Sequence, residues 1–203
     1  EPITRFKTRF ALHGGPKYSP DGRFVYFASR DGWISKYDIY NLKTVAEVRA
    51  GINTRNMAVS SDGKYAIVGN YLPHSLVILD TKDLTPIKVI DVKDSKGISS
   101  RVSAVYNAPP RTSFVVALKD VKEVWEIPYS DKGGVTVYKG WAHDHRKDGG
   151  EGKVENWKVD DPFPIRRIRT KDYLDDFFFD PDYINLIGTS REQHNGQVIN
   201  LDG

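Results

Sequence analysis

Apolar and polar residues alternate with a period of two along most of the chain, in short runs rich in Val, Ile, Tyr and Phe. That is the pattern of β-strands, and Pro and Gly interrupt it at intervals of roughly 8–12 residues, too often for helices. The alternation predicts strands over residues 13–19, 24–29, 33–39 and 44–50, then 55–60, 65–70, 75–81 and 86–92. A third set falls at 101–106, 114–119, 123–129 and 134–139, with Ala108-Pro-Pro-Arg-Thr112 at its turn. A fourth covers 175–180, 185–190 and 197–202 and lacks an outer member.

The sets repeat. Tyr18-Ser-Pro-Asp-Gly-Arg-Phe-Val-Tyr-Phe27 returns as Val59-Ser-Ser-Asp-Gly-Lys-Tyr-Ala-Ile-Val68, so that Asp21-Gly22 and Asp62-Gly63 stand 41 residues apart. Asp-Gly between two apolar runs supplies the positive φ of a tight hairpin turn, and the period matches a four-stranded propeller blade of roughly 40–45 residues. The expected fold is all-β: about four blades of a larger β-propeller across 1–203, with blades near 13–50, 55–92, 101–139 and 175–203. Residues 141–170, polar and without period, read as an insertion. Four blades leave sheet edges that only further blades would close.

Composition narrows the function. A formal charge of +3, spread along the chain, is too small for a nucleic-acid surface. With no cysteine there is no disulfide, thiolate nucleophile or attachment site for a c-type haem. No apolar run approaches the roughly 18 residues of a membrane span, and the N-terminal Glu-Pro-Ile-Thr-Arg-Phe-Lys lacks the apolar stretch of a signal peptide. Hydrolase elbows, phosphate loops and His-Glu-x-x-His are missing.

In a propeller the innermost strands start together at the mouth of the axial channel. The predicted starts are His13, Arg55, Arg101 and Asp175, polar or charged in every blade. Charge there is costly without a charged partner, and cationic groups converging on one axis suit a carboxylate-bearing ligand, with or without a metal. His13 precedes Gly14-Gly15, which leaves room for a flat ligand against an imidazole able to reach a metal. His143 and His145, in the insertion, read as a surface cluster; His74 and His194 fall in loops.

Phe10-Ala-Leu-His-Gly-Gly-Pro-Lys-Tyr-Ser-Pro-Asp-Gly-Arg-Phe-Val-Tyr-Phe27, followed by Arg30-Asp-Gly-Trp33, resembles the opening of the haem d1-binding propeller of the cytochrome cd1 nitrite reductase family. The likeness continues through Val45-Ala-Glu-Val-Arg-Ala-Gly51, Arg55, Lys64-Tyr-Ala-Ile-Val-Gly69, Tyr71 and Arg101-Val-Ser-Ala104. It implies an eight-bladed propeller, His13 as iron ligand of haem d1, and Arg55, Asn56, Tyr71 and Arg101 around the macrocycle. Nitrite reductases carry a proton-donating His at the start of the fourth inner strand. This chain has Tyr173-Leu-Asp-Asp-Phe-Phe-Phe-Asp-Pro181 there, with Asp175 and Asp176. A carboxylate repels nitrite instead of protonating it.

That segment and Arg55-Asn-Met-Ala-Val59 resemble the NirN-type dihydro-haem d1 dehydrogenase branch of the family. The resemblance implies a periplasmic enzyme of haem d1 biosynthesis that oxidises a propionate side chain to an acrylate. Electrons would pass to a c-type haem on another domain, with Asp175 and Asp176 as catalytic groups. Expected partners are haem d1 or its precursor, a c-type cytochrome domain, and other d1 assembly or nitrite reductase proteins. The rival readings are a nitrite reductase with altered distal residues, a non-catalytic haem d1 carrier or assembly protein, and a propeller that binds only protein.

Overall fold

The computed structural model describes residues 1–129 and 162–202. Four antiparallel sheets follow one another along the chain. The first runs β1 (Lys17–Tyr18), β2 (Phe24–Ala28), β3 (Trp33–Asp38), β4 (Lys43–Arg49), in that spatial order. The second is β5 (Asn53–Val59), β6 (Tyr65–Leu72), β7 (Ser75–Asp80), β8 (Pro86–Asp91). The third is β9 (Val102–Ala108), β10 (Ser113–Leu118), β11 (Glu123–Pro128), β12 (Arg166–Arg169). β13 (Leu174–Phe179), β14 (Asn185–Ser190) and β15 (Gly196–Asn200) form the fourth. A single 3-10 turn, Pro109–Arg111, is the only helical element among the described residues.

The Asp-Gly turns fold as the sequence indicates. Gly22 and Gly63 take φ of 70° and 72°. Beside them Ser19 Oγ donates to Asp21 Oδ1 (2.5 Å) and Ser60 Oγ to Asp62 Oδ1 (2.6 Å). The same carboxylate oxygens accept the backbone N–H of Arg23 and Lys64. Each turn thus ties its own backbone and sets the register of the hairpin it closes.

Alternation explains why the sheets stack. Along β6, Ala66 and Val68 pack toward the first sheet with Tyr26, Ile34 and Leu79, while Ile67 packs toward the third. Along β10, Phe114 and Val116 meet the second sheet beside Trp125, and Val115 and Ala117 meet the fourth beside Phe177 and Leu186. Each middle blade is therefore buried on both faces, and the core is three layers between four sheets. The inner strands β1, β5, β9 and β13 lie side by side.

Two expectations need correction. The outer strand of the third sheet is Arg166–Arg169, inside the stretch read as an insertion; the predicted strand 134–139 lies outside the described residues, as do His143 and His145. β12 docks through charge as well as through Ile168. Arg166 Nη1 donates to Glu126 Oε2 (3.0 Å), the carboxylate that also holds Arg111 (2.7 Å to Oε1), and Arg167 reaches Glu123 (3.4 Å). The first inner strand is also shorter than 13–19. Gly14 has φ of 72° and Pro16 has no N–H to give, so the ladder starts only at Lys17. His13 is left just outside it, its N–H donating to the carbonyl of Ala28 (2.9 Å).

Candidate ligand site at the inner-strand starts

Three of the four inner strands are irregular at the same place. In the second sheet Thr54 faces Asn70 and Asn56 faces Gly69, which leaves Arg55 without an opposite number; Tyr71 is left over on the neighbouring strand. In the third, Ala104 faces Ala117 and Val102 faces Leu118, skipping Ser103. In the fourth, Leu174 faces Ser190 and Phe177 faces Gly188, so Asp175 and Asp176 together oppose one residue. The breaks in the third and fourth sheets each insert one residue, as β-bulges do, and that in the second is a local register irregularity; such breaks re-aim side chains out of the pleat.

The bulged residues hook each blade to the next. His13 Nδ1 lies 2.6 Å from the carbonyl oxygen of Arg55, and Arg55 Nη1 lies 2.9 Å from His13 Nε2. A guanidinium only donates. His13 is therefore the Nδ1–H tautomer, giving its proton to the carbonyl and accepting at Nε2. Arg55 Nε donates to the carbonyl of Ser103 (3.0 Å), and Ser103 Oγ donates to that of Leu174 (2.8 Å).

A cleft of about 180 Å³ opens here, lined by His13, Gly14, Gly15, Lys17, Arg55, Asn56, Ser103, Ala104, Tyr106 and Asp176. Burial, and behind it the charges of Arg55 and Arg30, hold the His13 imidazole below its ordinary pKa, against the opposing pull of its bond to the Arg55 carbonyl. Neutral imidazole is the form that ligates metals. Tyr106 donates its hydroxyl to Asp176 Oδ1 (2.9 Å); burial first, and that bond second, push the phenol up to about 12. Asn56 packs its amide against Gly14, where a Cβ would come within 2.7 Å of its Oδ1, and donates to the carbonyl of Val105 (3.3 Å).

Of the residues singled out in the sequence, His13, Arg55, Asn56 and Asp176 share this cleft. Tyr71, Arg101 and Asp175 form a second cluster. Asp175 pairs with Lys119, which holds its carboxyl below the ordinary value. Lys119 Nζ and Arg101 Cζ lie 5.6 and 5.5 Å from the Tyr71 ring centroid. The Arg101 guanidinium is committed to Asp120 by two bonds, Nε to Oδ2 (2.8 Å) and Nη2 to Oδ1 (2.5 Å). Arg191 adds a third cation, 3.7 Å from Asp120. The clusters are electrostatically in touch, since Arg55 also helps to depress Asp175.

Tyr106, Ser103, Lys119, Asp120 and Arg191 were not singled out in the sequence. Lys119, Asp120 and Arg191 follow the second strands of their blades as Arg30 does in the first. Polar residues recurring at second-strand ends were a usable signal. Of the histidines read as loop residues, His74 bonds Ser99 Oγ (2.7 Å).

The fold and these clusters define a β-propeller that gathers neutral imidazole, cations and carboxylates at the starts of its inner strands. The chain belongs to the cytochrome D1 heme domain family, whose sequence model matches residues 1–153. It is 56% identical over 202 residues to the dihydro-heme d1 dehydrogenase of Pseudomonas aeruginosa, covering 100% of this chain and 35% of that protein. It is 32% identical over 134 residues to the nitrite reductase of Stutzerimonas stutzeri, covering 63% of this chain and 23% of the relative. A solved structure of the dihydro-heme d1 dehydrogenase NirN in complex with DHE superposes with a TM-score of 0.83 at 55% identity, over 100% of this chain and 37% of that one. The hydrazine synthase of Kuenenia stuttgartiensis, at a TM-score of 0.65 and 19% identity over 97% of this chain and 47% of its own, shares the fold alone. The chain thus spans about a third or less of the length of the curated relatives named.

Proposed function

We propose that this chain is the substrate-binding part of a periplasmic dihydro-haem d1 dehydrogenase, with His13 as iron ligand. The residues fit such a group. His13 lines the cleft with its pKa lowered and its ring held by Nδ1–H on the Arg55 carbonyl, the kind of bond that steers ligating histidines, while Nε2 accepts from the Arg55 guanidinium. A Cβ built at Gly15 meets nothing within 4 Å, so a flat ring has open space beside the imidazole. The cleft is smaller than the ~300–1,000 Å³ of sites that enclose a whole ligand. It therefore takes one edge of the macrocycle.

The reaction removes two hydrogens from adjacent carbons of a propionate side chain, leaving an acrylate, two electrons and two protons. The iron of the bound substrate would supply the first acceptor for the electrons, and a c-type haem, which this cysteine-free sequence has no residues to attach, would carry them onward. Arg55 and Lys17 attract the substrate carboxylates, with Arg101 and Tyr71 at the edge formed by the second cluster. Asp176, held by Tyr106, is placed to accept a proton at Oδ2. The partners in this reading are that c-type domain and other proteins of d1 assembly or nitrite reduction.

One observation carries the choice against nitrite reduction. By the resemblance, Asp175 and Asp176 fall where that family has a proton-donating His, and the bond of Asp175 to Lys119 lowers its pKa and so favours the ionised form. An ionised carboxylate cannot protonate nitrite and repels it. The test is anaerobic incubation of the full-length protein with dihydro-haem d1, following loss of two hydrogens by mass, beside a nitrite-consumption assay. The expected result is acrylate product with little nitrite turnover. Brisk nitrite turnover without product would assign a reductase, and tight haem d1 binding with neither activity would assign a carrier.

A further inference from the structure

Arg55 holds both nitrogens of the His13 ring, and the two contacts have different consequences. Its carbonyl accepts from Nδ1 and orients the ring. Its guanidinium donates to Nε2, and so occupies the one lone pair through which the imidazole can bind a metal. With the Arg55 side chain in this position, His13 is aimed but covered. Ligation requires only the side chain to leave; the carbonyl that orients the ring stays where it is.

The guanidinium has no carboxylate partner of its own among the described residues. Its other bond goes to the Ser103 carbonyl. Of the nearby carboxylates, Asp175 is paired with Lys119, and Asp176, bonded at Oδ1 by Tyr106, makes no ion pair with Arg55. A half-buried cation that bridges a carbonyl and an imidazole is poorly compensated, and an incoming anion offers it a stronger, charge-assisted bond.

The geometry points to Arg55 as a latch on His13 that a carboxylate of the ligand opens. It is a positioning and specificity-determining residue, and the inference rests on His13 being the iron ligand. A ring with an edge carboxylate draws the guanidinium off Nε2 and pairs with it, so iron ligation and carboxylate capture become one event. A ring without carboxylates must break the same bond and leave the cation unpaired. The site therefore discriminates against neutral macrocycles by covering its metal-binding atom, beyond any loss of attraction.

The probes are ferric protoporphyrin IX, which carries two carboxylates, and its dimethyl ester, titrated into full-length protein free of tetrapyrrole and followed by the Soret band. Wild type should bind the acid at least tenfold more tightly than the ester, the scale of one hydrogen bond to a charged group. Arg55→Met keeps the aliphatic stem and removes the donors. It should weaken the acid and bind the ester about tenfold more tightly than wild type does. A residue that merely attracts carboxylates would leave ester affinity unchanged, and a structural one would lower both; either result overturns the latch. A measurement on wild type alone makes the same distinction without relying on a variant. Free propionate should raise ester affinity saturably, and no effect of propionate contradicts the proposal. His13→Ala separates this inference from the reading beneath it. If that variant keeps the imidazole-ligated Soret spectrum, the ligand assignment fails; if it loses the spectrum while Arg55→Met fails to gain ester affinity, only the latch fails.

Discussion

Tyr106, on the third sheet, donates its hydroxyl to Asp176 Oδ1 on the fourth across 2.9 Å, and the N–H of Phe177 donates to the same oxygen. One oxygen of the carboxylate is thereby fixed, and the other is the one that the proposed function assigns to proton acceptance. Asp176→Asn should lower dehydrogenation kcat by about a hundredfold or more, the scale of a lost acid–base group, with dihydro-haem d1 affinity kept within about threefold. Tyr106→Phe leaves the carboxylate in place and only frees its orientation, so its loss of kcat should be smaller. Equal loss in both variants, or loss of affinity without loss of rate, would make the pair structural.

Two glycines separate stability from ligand space. A Cβ on Gly69 would come within 2.6 Å of Val102 Cγ1 and 2.7 Å of Val105 Cγ2, where β6 meets β9. Gly69→Ala should push these sheets apart and cost ~1–3 kcal/mol, read as a lower urea midpoint at unchanged slope. Gly15→Ala meets nothing within 4 Å and should leave the midpoint unchanged. Its methyl group stands in the cleft, however, and should weaken dihydro-haem d1 binding.

The Arg101–Asp120 pair sets an acid limit on the second cluster. The Arg101 hydrogen bonds, above all, pull Asp120 from its ordinary 3.8 down to about 2. A carboxyl depressed on folding stabilises the native state above its unfolded pKa, and that contribution fades as pH falls from 3.8 toward 2. Wild type should lose stability across this window, and Asp120→Asn should show a flatter profile there while being less stable at pH 7. A residual slope is expected, because Asp38, held chiefly by the backbone N–H of Asn41, also lies at about 2. Parallel profiles for the two proteins would remove the pair from the account.

Strand positions were legible where both neighbours of a strand are apolar layers. β6 and β10 alternate between two cores, and their pattern is nearly continuous. β12 was not legible: Arg-Arg-Ile-Arg buries one side chain and is held otherwise by Glu126 and Glu123. A bulge adds one residue and shifts the phase of the alternation, as between Leu174 and Phe177, three apart and both buried, so a strict period-two reading misplaces the residues at the bulge. That is why Asp175 and Asp176 seemed a single feature yet face different partners, and why Ser103 drew no notice. His13 is marked in the sequence by its place at a predicted inner-strand start and before Gly14-Gly15, and the string around it adds the family resemblance. Its tautomer is set by Arg55, 42 residues away in the chain, and could come only from the structure.

The most direct test of the central claim is the ferric spectrum and affinity of full-length wild type and His13→Ala titrated with dihydro-haem d1 under anaerobic conditions. His13 as iron ligand predicts an imidazole-ligated spectrum in wild type, its loss in the variant with affinity at least tenfold lower, and its return on adding free imidazole. Superimposable spectra with equal affinity in the two proteins would contradict it.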